Sequence, residues 1–310
     1  MIPWTFDNIP DQSGRVAIVT GANTGIGFET ARALARKRAR VVLACRSLEK
    51  GRQAAARVQR ECAFAKVEVH LLDLSDLDSV RVFATAFSAA HQRLDLLVNN
   101  AGVMIPPFSR TKQGFELQFG TNHLGHFALT GHLLPLLRDT AASRIVVVYS
   151  GAYRGGRIDF DDLNYARRPY RAWQAYSQSK LANLLFALEL GRRLHGVSSA
   201  PMVSAAHPGW TATDLQRTAG FIRLLNPVFA MTTEDGALPT LRAATDPQTA
   251  AGSYWAPSRF FEMNGPPAPG RITAVGRDSA VAARLWDVSE ALTGVRYEFR
   301  AAQSYDLQHS

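Results

Sequence analysis

The chain has 310 residues, 46% hydrophobic and 20% charged, with 35 Lys and Arg against 26 Asp and Glu for a formal net charge of +9. This is the composition of a soluble globular protein. No run of about 18 apolar residues appears, so no membrane span is expected, and the opening stretch MIPWTFDNIPDQSGR lacks the basic and apolar regions of a secretion signal. The basic residues are scattered, and no nucleic-acid-reading motif accompanies them; the densest run, Arg32 to Arg40, reads as the solvated face of a helix. Cys45 and Cys62 sit in no disulfide or metal spacing, which fits a reduced, cytoplasmic setting.

Apolar runs alternate with amphipathic stretches. RVAIVT (15–20) reads as a buried strand, and a glycine-rich turn leads into a helix, IGFETARALARKR. RVVLAC (40–45) is a second strand, followed by a helix near 49–62. KVEVHLLDL (66–74) is a third, and DSVRVFATAFSAAHQR is helical. LDLLVNN (94–100) is a fourth strand, followed by a long helical region over roughly 113–138. SRIVVVYS (143–150) is a fifth strand and 172–195 a helix. APMVSAAHPG (200–209) gives a sixth strand and AGSYWAP (251–257) a short seventh. Helices are expected to start near Thr233 and over 278–292, the latter after a Pro/Gly-rich tail stretch, NGPPAPGR. Strands at this spacing, read as near-continuous apolar runs, imply βαβ units with both sheet faces covered. The expectation is one α/β domain, a doubly wound parallel sheet of about seven strands, with its core over about 14–257. Residues 210–233 form a candidate substrate lid and 258–310 a C-terminal extension.

VTGANTGIGFET places Gly21, Gly25 and Gly27 between the first strand and first helix. Glycines there let the backbone approach a pyrophosphate, and the helix N-terminus supplies free N–H groups and a positive dipole end. The spacing is G-x-x-x-G-x-G, a variant of the Rossmann fingerprint. Gly21, Asn23, Thr24, Gly25, Ile26 and Gly27 are therefore candidate cofactor contacts on a Rossmann fold. At the end of the second strand, Cys45 takes the place of the acidic residue that holds an NAD ribose, and Arg46 follows. A guanidinium there suits a 2′-phosphate, so NADP(H) is expected over NAD(H).

Tyr176 and Lys180 lie four apart on a helical segment, one turn apart on one face. An adjacent ammonium favours a phenolate, so the Tyr176 pKa is expected to fall and bring the hydroxyl within reach of proton exchange with an alcohol or ketone oxygen. Ser150 ends the fifth strand, where ligands of open parallel sheets bind, and can steady a substrate oxygen. Strand alternation turns the preceding Tyr149 to the opposite face, beneath a helix. Tyr153 is a possible pocket-rim residue that no pattern assigns. His123, His126 and His207 lack the carboxylate spacing of a metal site, so no metal is expected.

Taken in order, TGANTGIG (20–27), NNAG (99–102), Asn122 in TNHLGHF, Ser150, YSQSK (176–180) and HPGWTAT (207–213) resemble the short-chain dehydrogenase/reductase family over about residues 14–257. ACRS, IDFDDLN, SKLANLLF and HPGW look closest to its retinol-dehydrogenase-like branch. The long loop 151–171 between Ser150 and Tyr176 is similar to that branch, whose substrates include retinoids, other ketones, aldehydes and steroids. The resemblance implies that Asn122, Ser150, Tyr176 and Lys180 are catalytic, with Lys180 also holding the nicotinamide ribose and Asn122 supporting proton relay. It implies that Asn99 stabilises the sheet. Asp73 and Leu74 would contact the adenine side, Asn100, Ala101 and Gly102 the cofactor, and Pro208, Gly209, Thr211 and Thr213 the nicotinamide side. It also implies a homodimer or homotetramer, through helices near 113–138 and 172–195.

The expected function is an NADP(H)-dependent oxidoreductase moving a hydride between nicotinamide and a carbonyl or alcohol carbon. Apolar residues of the lid segment, Phe221 to Phe229, point to an apolar substrate if they face the pocket. A sugar-nucleotide enzyme on the same fold and a noncatalytic NADP(H) sensor are the alternatives. The first would carry a different glycine spacing and a larger C-terminal domain; the second would not need the Asn122–Ser150–Tyr176–Lys180 set.

Overall fold

The computed structural model describes residues 3–211 and 231–299, so Thr213 and most of the candidate lid, 212–230, lie outside the described residues. The first half contains β1 (Val16–Thr20), α1 (Gly25–Arg36), β2 (Arg40–Cys45), α2 (Leu48–Glu61), β3 (Lys66–Leu71), α3 (Leu77–Ala90) and β4 (Leu96–Asn99). The middle contains α4 (Leu117–Phe119), a π turn (Gly120–Leu124), α5 (Gly125–Arg138), β5 (Arg144–Val148), α6 (Ala172–Arg193) and β6 (Met202–Ala206). The last part contains α7 (Thr233–Thr245), β7 (Tyr254–Arg259), β8 (Asn264–Pro269) and α8 (Ser279–Thr293).

Among the described residues, these strands form one sheet of eight in the order β3-β2-β1-β4-β5-β6-β7-β8. Neighbours from β3 to β7 pair in parallel; β8 pairs antiparallel with β7. Successive strand residues point to opposite faces, which sorts them between two cores. Val16 and Ile18 of β1, Leu97 of β4 and Ile145 and Val147 of β5 pack on one face, under α3, α5, α6 and α8. Ala17, Val19, Leu96, Val98, Val146 and Val148 pack on the other, under α1, α2 and α7. Both faces are covered, which is why the strands read as unbroken apolar runs.

Two expectations are corrected. The stretch NGPPAPGR is not a tail: Asn264–Pro269 is an antiparallel edge strand, so the sheet extends past residue 257. Proline is tolerated there because an edge strand needs ladder hydrogen bonds on one side only. The helical region assigned to 113–138 starts at Leu117 and is interrupted by the π turn, which carries Asn122. Helix periodicity cannot register one inserted residue of this kind.

Because β1 lies between β2 and β4, the chain leaves β1 in one direction and returns in the other. Ligands of such sheets bind in the crevice at this switch point, beyond the carboxyl ends of the strands.

Candidate active site

A cleft of about 770 Å³ opens at the switch point. Every described residue expected to contact a cofactor lines it, from the glycine loop through Arg46, Asp73, Leu74, Asn100, Ala101 and Gly102 to Pro208, Gly209 and Thr211. Gly21 (φ +67°) and Gly25 (φ +58°) are left-handed, a conformation that costs a side chain dearly. Gly27 is needed for approach: a Cβ there would sit 2.6 Å from the Gly21 carbonyl oxygen. The first turn of α1 has no acidic side chain, so its free N–H groups present a positive end to the cleft. This cradle fits a dinucleotide pyrophosphate. Arg46 is exposed on the cleft wall one residue past β2, while Cys45 is buried beneath the loop, where the Ala22 and Asn23 amides bond to its sulfur.

Asn99 is fully buried and donates to Thr130 Oγ1 at 2.8 Å, tying β4 to α5. The Asn100 amide side chain donates to the Thr20 carbonyl at 2.8 Å, and the backbone amides of Asn100 and Ala101 both donate to Thr20 Oγ1 at 2.9 Å. Asp73 lies two residues past β3 and accepts from the amide and hydroxyl of Ser75 at 2.9 and 2.6 Å.

Ser150, Tyr176 and Lys180 meet at the far end of the cleft. The Ser150 side chain, whose Oγ accepts from the Ala152 amide at 3.3 Å, is close enough to Tyr176 to favour its phenolate. Lys180 Nζ lies 5.7 Å from the Tyr176 ring centre. Burial pushes the Tyr176 pKa up to about 12, with the neighbouring Ser150 side chain pulling it down. Burial also pulls Lys180 down to about 8. The expected fall in the Tyr176 pKa is thus reversed: lost hydration of the phenolate outweighs the pull of the neighbouring Ser150 side chain.

Asn122 is fully buried and stands behind Gly102 rather than on the cleft wall. Its side chain accepts from the Val103 amide at 2.8 Å and donates to the Val103 carbonyl at 3.0 Å and to Ser179 Oγ at 2.9 Å. A Cβ on Gly102 would lie 3.1 Å from Asn122 Oδ1 and 3.5 Å from Lys180 Nζ, so the three groups converge.

His126, which the sequence marks only as a non-ligand, joins the two halves of the site. Its Nδ1 is 2.9 Å from the Asn122 carbonyl and its Nε2 is 2.9 Å from Thr20 Oγ1. A carbonyl can only accept, so Nδ1 carries the proton and Thr20 donates to Nε2. Burial holds the imidazole neutral, with a pKa pulled down to about 4. His126 therefore links the loop that braces Asn100 and Ala101 to the π turn that presents Asn122. Sequence pattern does not show this link because Thr20 lies more than a hundred residues from His126. Among the described residues, no group of three or more His, Cys, Asp or Glu side chains is placed to hold a metal.

Tyr149 packs in the core on the α3/α5/α6/α8 face, as alternation predicts, although it also touches the cleft wall. Its hydroxyl points toward the β8 end, where a Cβ on Gly270 would lie 3.5 Å away. Tyr153 is no rim residue: it is fully buried, and its hydroxyl accepts from the Thr273 amide at 2.9 Å. The rest of the cleft wall is largely apolar and was not anticipated. Met104, Pro106, Trp173, Trp210, Phe261 and Met263 contribute to it, with Arg154 beside them. A buried network supports this wall. Glu116 accepts from the Gln118 and Phe119 amides at 2.9 and 2.7 Å, and Gln118 bonds to the Tyr170 hydroxyl at 2.9 Å and the Ile105 amide at 3.0 Å.

A family model described as short chain dehydrogenase matches residues 15–220. Human retinol dehydrogenase 11 is 44% identical over 285 residues, covering 91% of this chain and 86% of the relative. A crystal structure of an uncharacterized protein from Mycobacterium paratuberculosis superposes with a TM-score of 0.81 at 42% identity, covering 96% of this chain and 99% of that one. A Shigella flexneri short chain dehydrogenase solved in complex with NADP matches with a TM-score of 0.63 at 26% identity, over 79% of this chain and 98% of that one.

Proposed function

The chain belongs to the short-chain dehydrogenase/reductase family and is retinol-dehydrogenase-like; from that premise we propose that it is an NADP(H)-dependent oxidoreductase acting on an apolar ketone, aldehyde or alcohol. The observation that carries the reading is the meeting of Ser150 with the buried Tyr176 and Lys180, one helical turn apart, at one end of a cleft whose other end is a dinucleotide cradle.

Gly21 to Gly27, Asn100 to Gly102 and Pro208 to Thr211 would hold the nicotinamide cofactor, with Thr213 proposed to join them. When bound, that cofactor supplies or accepts the hydride. Ser150 hydrogen-bonds the substrate oxygen and steadies its developing negative charge. In reduction Tyr176 gives its phenolic proton to that oxygen as the carbon gains hydride; in oxidation it takes the proton back. A pKa of about 12 keeps Tyr176 protonated at neutral pH, ready to act as the acid. Lys180 places positive charge beside the phenolate that results, lowering its cost, and Asn122 holds the wall through which the proton is replaced.

Arg46 supports NADP(H) over NAD(H), because an exposed guanidinium at this wall can meet a phosphate dianion without first breaking a buried ion pair. The apolar wall favours an apolar substrate. A cytoplasmic setting is supported by two free, buried cysteines, Cys45 and Cys62. The test is a panel of aldehydes, ketones and alcohols, with NADPH/NADP and NADH/NAD in parallel. The reading expects reduction of apolar carbonyls with NADPH preferred. Dinucleotide binding with no turnover of any carbonyl or alcohol would point instead to a sensor.

A further inference from the structure

The turn between β7 and β8 has an unusual backbone. Phe260, Phe261 and Glu262 are consecutive non-glycine residues with φ of +47°, +56° and +68°. Left-handed residues of this kind normally occur singly, and they persist only when their surroundings hold them. Two sets of bonds do so. Glu262 forms an ion pair with Arg154 and accepts from the Arg271 amide at 2.7 Å. The Met263 amide bonds back to the Arg259 and Phe260 carbonyls, each at 3.1 Å, and the Met263 carbonyl accepts from the Trp210 amide at 2.8 Å.

The strained turn brings together two opposite parts of the cleft. Arg154 belongs to the short helical turn Gly151–Gly155 that follows Ser150. Phe261 and Met263 lie on the wall beyond Gly209, where a Cβ on Gly209 would strike the Met263 carbonyl at 2.6 Å. The turn leaves Phe261 91% exposed while it still lines the cleft. An exposed phenyl on a turn held by these bonds has surface to offer a ligand, and it shares the cleft wall with the apolar Met104, Pro106, Trp173 and Met263.

We propose that the Arg154–Glu262 ion pair is a latch that holds Phe261 as an apolar lip on the outer cleft, and that this lip selects substrates whose apolar tails are long enough to reach it. The inference rests on the reading of the cleft as a carbonyl and alcohol site. A short substrate fills only the space around Ser150 and Tyr176; a long one also covers the Phe261 ring and gains the affinity of that burial.

The experiment separates the lip from the chemistry by measuring binding. Wild type, Phe261→Ala, Phe261→Leu and Glu262→Ala are titrated with 1-butanol and 1-decanol in the presence of NADPH, a pairing that forms no product, and binding is followed by calorimetry. Wild type is expected to bind decanol more tightly than butanol. Phe261→Ala and Glu262→Ala should weaken decanol about tenfold and leave butanol unchanged, and Phe261→Leu should restore most of the loss. Equal losses for both alcohols, no loss for decanol, or no preference for decanol in wild type would overturn the proposal. Turnover of decanal is read separately: length-dependent binding without turnover would sink the oxidoreductase reading and leave the lip standing.

Discussion

At the scale of single residues, chemistry is set by what burial does to Tyr176, Lys180 and His126. Lys180 has a folded-state pKa of about 8 against its ordinary 10.5. Below pH 8 the folded and unfolded chains both hold the proton, and the cost of a buried charge is fully present. Between about 8 and 10.5 the unfolded chain binds more protons, so this residue makes stability rise with pH. Melting of the cofactor-free protein should show it: the Tm advantage of Lys180→Met over wild type shrinks as pH climbs from 8 to 10. A constant difference would mean that Lys180 is not buried as a strained cation. Arg46 acts through cofactor choice. Arg46→Ala should lower the NADPH/NADH ratio of kcat/KM by about tenfold to a hundredfold, the worth of charge-assisted bonds to a phosphate; an unchanged ratio removes Arg46 from the cofactor site. Ser150, Tyr176 and Lys180 were legible because their types and spacing carry their chemistry. The direction of the Tyr176 shift was not, since burial is contributed by residues scattered along the whole chain.

At the scale of elements, the glycine loop and the π turn position what those residues need. Gly27→Ala would push a methyl against the Gly21 carbonyl and the Asn100 side chain, both parts of the cradle. The expected result is dinucleotide affinity at least about tenfold weaker, measured by calorimetry, with secondary structure retained. The loop and the strands β1 to β7 were readable because apolar period and glycine placement are local signals. The π turn was not, because helix periodicity does not register one inserted residue, nor was the bond from His126 beside it to the distant Thr20. The edge strand β8 was hidden by its prolines, which argue against a central strand but are compatible with an edge. The left-handed turn before it leaves no signature in Phe-Phe-Glu, since none of those residues favours that conformation.

At the scale of the whole molecule, the sheet carries the cleft at its switch point while a separate layer stabilises the opposite face. Trp286 of α8 is fully buried, with its ring 5.1 Å from Phe127 and 4.6 Å from Tyr297. None of these three lines the cleft. Trp286→Ala should therefore cost about 3–5 kcal/mol in chemical denaturation and leave cofactor affinity unchanged. A loss of affinity as large as the loss of stability would show that α8 shapes the site. Fold class could be argued from pattern because strand and helix alternate from β1 to β7; the apolar half of the cleft could not, because Met104, Trp173, Trp210 and Met263 come from four separate segments. The central claim is that Tyr176 exchanges a proton as hydride reaches the substrate carbon. It is tested most directly by supplying NADPH deuterated at the transferring position with an apolar aldehyde turned over in the panel. Deuterium should appear on the carbinol carbon of the product, and Tyr176→Phe should slow this by at least about a hundredfold without weakening NADPH binding. Deuterium-free alcohol, or a Tyr176→Phe variant as fast as wild type, would contradict the account.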